Sequence, residues 1–593
     1  MQTSLYPHTF HIPVMGTGFT IDTPLKVARY GISSVISLVD DVLIDQMRKY
    51  YCQKEGEPYE EITDSAKDAR AARITHYLNL VHKLVNQQVK KLQASPFSPG
   101  SEITQYFDML PDSSLKREYL FMLSATNPAE KMRLQEALRP KAVPGSIDVN
   151  IMTKLDRNAY NIGDEAGDPH FSDAMAALRG FGNSTLESSI VFSAGLNPRL
   201  YSYAAELADF LPQNDSPPKK KIILKVGDFR SAEIQGKFLA KRGLWVSEYR
   251  IESSLNCGGH AFSNMGNLLG PILQKFKENK RQLFEKIYSL YIKVLAARGI
   301  QSGYENSCLR ITVQGGIGTQ EEDRFLQDHF EMDGTGWGTP FLLVPEATNV
   351  DDVHLKKLSE ATEKEVYLSN SSPLNVPFWC LRTSASEEAR RNRIRAEKPG
   401  SACPKGYLAM NSEFSKIPLC TASYAYQKLK LKEIRNQNLS PEIKTALEEN
   451  VLEKACICHD LAGSTTLKYG IDPKATPTIC CGPNIINFSK IASLREMIDH
   501  IYGRTNLMTN PQRKHLFIQE LLIYMDYLIQ EIERAALGVY NISADYLRTF
   551  KQNMLDGIEY YKIVSQHFLK DEKEKFLADL WILQKRIETL SIP

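Results

Sequence analysis

The chain has 593 residues, with 72 Lys plus Arg against 70 Asp plus Glu and a formal net charge of +2. That balance excludes a general electrostatic pull toward nucleic acid or an anionic membrane. Its 42% hydrophobic and 24% charged residues are ordinary for a globular chain, and no apolar run approaches the roughly 20 residues that span a bilayer. Residues 1–10 carry no basic patch followed by an apolar stretch, so no secretory signal is read. Ten cysteines are too sparse for a disulfide scaffold. The expected compartment is the cytoplasm, where clustered cysteines read as metal-binding, redox or buried residues.

In chain order, His11-Ile12-Pro13-Val14-Met15 reads as a strand running into Gly16-Thr17-Gly18. Thr23-Pro24 offers a helix N-cap with proline in the first turn. Residues 32–38 (ISSVISL) form a β-branched strand. Residues 40–144 have a helical texture, with Ile74, Leu78, Val81, Leu84, Val85 and Val89 on one face of a helix over 65–92. This block reads as an inserted helical layer or lid. Strand signals return at residues 146–152, 188–194, 221–226, 243–251, 310–314 and 334–343, with helical stretches between most of them. Eight strands alternating with helices predict an α/β fold, and the simplest closed solution is a TIM (β/α)8 barrel over residues 1–39 and 145–382.

Past the barrel, residues 366–382 read as irregular and 390–398 as a basic, solvated helix face. A Cys-containing extension covers 383–484. A helical region covers 485–593, where Leu521, Leu522, Met525, Leu528, Ile529 and Ile532 make a packing stripe. Such helical regions could carry a homodimer. No nucleic-acid or membrane partner is expected.

Three motifs bear on chemistry. Gln314-Gly315-Gly316-Ile317-Gly318 lies where a strand gives way to a helix, and small residues there let backbone N–H groups approach an anion. Gly334-Thr335-Gly336-Trp337-Gly338-Thr339 repeats that arrangement one βα unit later. Loops after the seventh and eighth strands commonly grip phosphate in barrel enzymes; the plain alternative is two tight turns. Leu255-Asn256-Cys257-Gly258-Gly259-His260 places an imidazole on a loop that can pass close to a ligand, where it can exchange protons near neutral pH. Its alternative is a histidine bonded into the loop for support.

Together these motifs resemble the FMN-dependent TIM-barrel oxidoreductases of the nitronate monooxygenase (2-nitropropane dioxygenase) group, whose relatives include trans-acting enoyl reductases. The resemblance spans roughly residues 12–382 outside the helical insertion. It rests on Pro13-Val14-Met15-Gly16-Thr17-Gly18, Asp148-Val149-Asn150, Phe192 to Asn197, Cys257-Gly258-Gly259-His260, Gly315-Gly316-Ile317 and Gly338-Thr339-Pro340-Phe341-Leu342 with Glu346. Cys257 stands where the family usually has alanine.

The resemblance implies an FMN cofactor, its phosphate held by Gly315, Gly316, Gly338 and Thr339. Met15, Gly16 and Asn150 would line the ring, with Gly258 and Gly259 beside it. Lys225 would sit at the ring's electron-rich edge, or else in a strand-end salt bridge. His260 would be the general acid/base, oriented by Glu248 or Glu252. The activity implied is a flavin-dependent oxidation or reduction, nitronate monooxygenase-like first. The alternatives are an enoyl reductase acting on a carrier-bound acyl chain and a flavin- or metal-holding subunit of a larger complex. The substrate is accordingly a small molecule or a carrier-bound acyl group.

Six of the ten cysteines fall within the extension: Cys403, Cys420, Cys456, Cys458, Cys480 and Cys481. Four thiolates can hold zinc or an iron–sulfur cluster. No C-x-x-C pair is present, and Cys456-x-Cys458 and Cys480-Cys481 are awkward chelates, so buried reduced thiols stand as the alternative.

Overall fold

A computed structural model describes residues 6–158, 167–193, 195–213, 216–256, 265–300, 309–538, 542–568 and 570–593. Eight parallel strands close into a barrel: β1 (Phe10–Ile12), β2 (Ser33–Ser37), β3 (Ile147–Met152), β4 (Ser189–Ser193), β5 (Lys221–Val226), β6 (Val246–Glu252), β7 (Arg310–Gln314) and β8 (Thr335–Gly336). Closure is made by β8 against β1, with Phe10 opposite Thr335 and His11 opposite Gly336. The chain is therefore a TIM barrel, as its alternating strand and helix signals imply.

The last strand is far shorter than the stretch over 334–343 suggests. Pro340 has no N–H for a ladder, and Thr339–Leu343 turn into a 3-10 helix instead. Near the start, helix Thr23–Val27 takes Asp22, not Thr23, at its N-cap position. The Asp22 side chain caps nothing there. It is buried and accepts from Tyr51 (2.7 Å) and Asn349 (2.6 Å).

Between β2 and β3 lie helices Asp41–Glu55, Ala69–Ala94, Glu102–Met109, Ser114–Ser124 and Pro128–Leu138. The apolar stripe of Ala69–Ala94 is buried, including Ile74, Leu78, Val81 and Val85. That helix packs on helix Asp173–Gly182 at the barrel's outer wall. The insertion thus thickens one flank.

Residues 366–382 are not irregular. They form an antiparallel hairpin of β9 (Val366–Ser369) and β10 (Phe378–Leu381). The basic run falls on helix Ala385–Arg395, where Arg390 pairs with Glu387 at 2.8 Å and donates to the Leu452 carbonyl at 2.8 Å. The C-terminal part is helical over Leu494–Ile501, Leu516–Ala536, Ala544–Val564 and Lys570–Thr589. Among the described residues no helix is long and apolar enough to cross a membrane.

Candidate active site at the barrel mouth

Alternate residues of a strand face the same side, and this sorts the barrel interior into layers. At the floor, the buried side chains of Asp148, Glu248, Arg250 and Thr312 interlock. Arg250 binds Glu248 at 2.8 Å and lies 3.9 Å from Asp148, and Thr312 donates to Glu248 at 2.7 Å. Burial works to raise the Glu248 carboxyl, yet Arg250 and Arg310 hold it down at about 2. Burial pushes the neighbouring His11 imidazole down to about 3, with Arg250 acting the same way. Above them Val35, Val191 and Ile223 form a small apolar layer of their own, with Val14 packed on it.

Above that layer the barrel opens into a cavity of about 890 Å3, its open mouth included. Gly16, Thr17, Ser37, Asn150, Ser193, Lys225, Glu252 and Asn256 supply its polar wall. Lys225 Nζ meets Glu252 at 2.8 Å, so the strand-end ion pair forms on the cavity wall itself. Asn150 Nδ2 donates to the Val191 carbonyl at 3.2 Å, and its Oδ1 accepts from Ser193 at 3.5 Å. The Thr17 hydroxyl is buried and has no hydrogen-bond partner among the described residues. Glu248 and Glu252 share a strand face but stand four residues apart, about 13 Å along β6. Only Glu252 reaches the mouth; Glu248 belongs to the floor.

The roof is apolar and comes from beyond the barrel: Leu374, Phe378, Leu408, Ile457 and Leu461, with Cys458. Thr465 Oγ1 fastens it down by donating to the Gly18 carbonyl at 2.9 Å. None of residues 40–144 lines the cavity. The covering role expected of that insertion therefore falls to residues 374–461.

The glycine rims are arranged differently from the expectation, because Gly315, Gly316, Gly338 and Thr339 do not line this cavity. Gly316 has φ +81°, and a Cβ there would fall 2.4 Å from the Leu255 side chain. At Gly318 a Cβ would fall 2.6 Å from the Arg513 guanidinium. Arg513 donates to the Gly316 carbonyl at 2.8 Å and to Glu322 at 2.7 Å, while Glu322 accepts from the Gly318 N–H at 2.9 Å. A carboxylate of the chain thus takes the Gly318 donor an anion would need. The backbone N–H groups of Gly316, Gly338 and Thr339 donate to no acceptor among the described residues.

Met15 is wholly buried in the main core and does not face the cavity. Cys257, Gly258, Gly259 and His260 lie outside the described residues. Asn256, which leads into them, is on the cavity wall. Gly16, Asn150 and Lys225 all line the cavity. Sequence reasoning missed Thr17, Ser37 and Ser193, whose small hydroxyls carry no pattern, and the roof, whose side chains read as ordinary core.

The structure divides the six extension cysteines. Cys403, Cys420, Cys456 and Cys458 lie close together, and Cys480 and Cys481 lie elsewhere, beside Cys380. The neighbouring Cys420 lowers the Cys403 thiol, and the Cys420 thiol is raised in turn. Among the described residues no group of three or more His, Cys, Asp or Glu is placed to share one metal ion.

No family model matches the chain, and no curated protein matches it in sequence. Solved structures similar to it include the enoyl reductase domain of MlnA from the macrolactin biosynthesis cluster of Bacillus amyloliquefaciens. That match has 12% identity and a TM-score of 0.30, over 80% of this chain and 94% of that one. Another is nitroalkane oxidase from Streptomyces ansochromogenes, at 10% identity and a TM-score of 0.31, over 77% of this chain and 90% of that one. Likenesses this distant carry no argument about function. The barrel stands on its own strand pairing.

Proposed function

We propose that the chain is a flavin-dependent oxidoreductase whose FMN ring lies in the mouth cavity. One observation carries the reading: Asn150, Lys225 and the unpartnered Thr17 hydroxyl meet on one wall beneath an apolar roof, above the strands' C-terminal ends. Such a wall suits a flat heterocycle with a polar edge. The polar wall suits the ring, whereas the residues present do not fit the phosphate: Gly315, Gly316, Gly338 and Thr339 stand off the cavity and the Gly318 N–H is taken by Glu322.

When bound, FMN would supply the electron transfer. The chain's own residues do the rest. Lys225 places a cation against the ring edge, with Glu252 fixing its direction. Thr17 and Asn150 orient the ring. Leu374, Phe378, Leu408 and Leu461 exclude water and favour an alkyl substrate. His260 takes a proton from the substrate carbon beside its activating group, or returns one to a reduced alkene. A nitronate-type substrate is the first choice on the resemblance of the motifs, and an enoyl group on a carrier is the second.

Purified protein should be yellow and release FMN on denaturation. Colourless protein that ignores added FMN would defeat the assignment. His260→Ala should keep FMN and lose roughly 10²–10⁴-fold in turnover; an unchanged rate would reduce His260 to loop support. Oxygen-driven turnover of nitronates favours the first substrate class, and NAD(P)H-driven enoyl reduction the second.

A further inference from the structure

The glycines of both rims are accounted for by the chain itself. A Cβ on Gly315 would fall 3.0 Å from the Asn256 backbone, and those on Gly316 and Gly318 would meet Leu255 and Arg513. On the eighth rim, a Cβ on Gly334 would fall 2.8 Å from the Thr9 carbonyl oxygen. One on Gly336 would fall 2.6 Å from Gln314 and 2.9 Å from the His11 ring. Residues 315–318 and 334–340 are buried throughout. Small residues here serve packing of chain on chain.

The polar groups of the seventh rim are taken up in the same way. Three successive carbonyls accept from side chains of the C-terminal part: Gly316 from Arg513 at 2.8 Å, Ile317 from Asn484 Nδ2 at 3.1 Å and Gly318 from His500 Nε2 at 2.9 Å. The Gly318 N–H donates to Glu322 at 2.9 Å. Glu322 also accepts from Arg513 at 2.7 Å and from the Leu516 N–H at 2.7 Å, and both side chains are 4% exposed. Burial works to raise the Glu322 carboxyl, yet Arg513 holds it below its ordinary range, so the group stays charged. The loop thus already contains an anion with its own cation, where barrel enzymes commonly grip phosphate. The N–H groups of Gly316, Gly338 and Thr339 make no bond among the described residues, but they are buried and off the mouth cavity.

We propose that Glu322 is the resident anion of the seventh loop, and that the mouth selects a flavin by its ring and not by its phosphate. A charge-assisted hydrogen bond contributes roughly 10–100-fold in binding, so a loop that gripped phosphate would prefer FMN over riboflavin by at least that factor. Here Glu322 holds the Gly318 donor and neutralises the Arg513 guanidinium, and its charge repels a second anion. FMN therefore gains nothing over riboflavin from this loop. The inference rests on the flavin reading and specifies which part of a flavin that site recognises.

The test is titration of the flavin-stripped full chain with riboflavin and with FMN, read by flavin fluorescence. FMN should bind no more than about threefold tighter than riboflavin, and excess inorganic phosphate should displace neither. Glu322→Gln removes the resident charge, keeps the shape and leaves Arg513 unneutralised, so its affinity ratio should tip toward FMN. A larger wild-type preference for FMN, displacement of FMN by phosphate, or an unmoved ratio in folded Glu322→Gln each overturns the proposal. Should that variant misfold, the two wild-type dissociation constants still decide. Binding of neither flavin removes the flavin reading itself and this inference with it, so the two failures are told apart.

Discussion

The two ends of the barrel interior use similar residues for opposite purposes. At the floor Arg250, Glu248, Asp148 and Thr312 bind one another and leave only a small pocket at the barrel's underside. At the mouth Lys225 and Glu252 also pair, but on the wall of a cavity and partly open to it, with side chains 12% and 28% exposed. Charge bonded on several sides at the floor is structural, because its removal strands a partner in a low-dielectric interior. Charge on the wall of the open mouth is available to a ligand. The identity of the residues does not separate the cases; the three-residue apolar layer of Val35, Val191 and Ile223 does.

Mutation can break this contrast. Arg250→Met should strand Glu248 and Asp148 and cost on the order of 3–5 kcal/mol, read as a large drop in melting temperature, while the folded fraction keeps its FMN affinity. A loss below about 1 kcal/mol would show that the floor is not ionically locked. Lys225→Met should do the reverse. Its stability should change by no more than about 1 kcal/mol, as for partly exposed pairs, while turnover falls roughly 10²–10³-fold with the loss of a preorganised charge. Equal activity would remove Lys225 from the site.

The floor also sets a pH dependence. His11 is neutral in the folded protein down to about pH 3, whereas the unfolded chain protonates it near 6.5. The unfolded state therefore binds more protons below that value, and stability falls as pH drops from about 6.5 toward 3. Glu248 adds a second loss between about pH 4.3, its unfolded value, and about 2, its folded one. Chemical denaturation of His11→Gln across this range should show a flatter slope than wild type above pH 4; an unchanged slope would place the titration elsewhere. The smallest effect belongs to Met15→Leu. A volume-conserving swap in the core should cost less than about 1.5 kcal/mol and leave FMN affinity unchanged, whereas a changed affinity would put Met15 back at the ring.

The barrel was legible because each strand is a short β-branched or alternating run set between helical stretches. The hairpin of β9 and β10 was not, because Ser371-Ser372-Pro373 and Pro377 break the pattern between its arms. On the mouth wall, Gly16 and Asn150 were marked by the family resemblance and Lys225 by its place at a strand end. The glycines of the seventh loop misled, since close packing against Leu255 and Arg513 demands the same small residue that a phosphate would. The roof was invisible for a different reason. Leu408 and Leu461 meet residues near 16 from hundreds of positions away, and apolar residues carry no mark of what they will cover. The cysteines share that limit: spacing along the chain could not reveal that Cys403 and Cys420 come near Cys456 and Cys458.

The most direct test is an FMN titration of flavin-stripped wild type beside Leu408→Trp, a variant that fills the roof side of the cavity. One FMN per chain on wild type, with binding sharply weakened in a folded Leu408→Trp, is the expected result. Equal binding by both proteins, or none by wild type, would contradict a flavin in the barrel mouth.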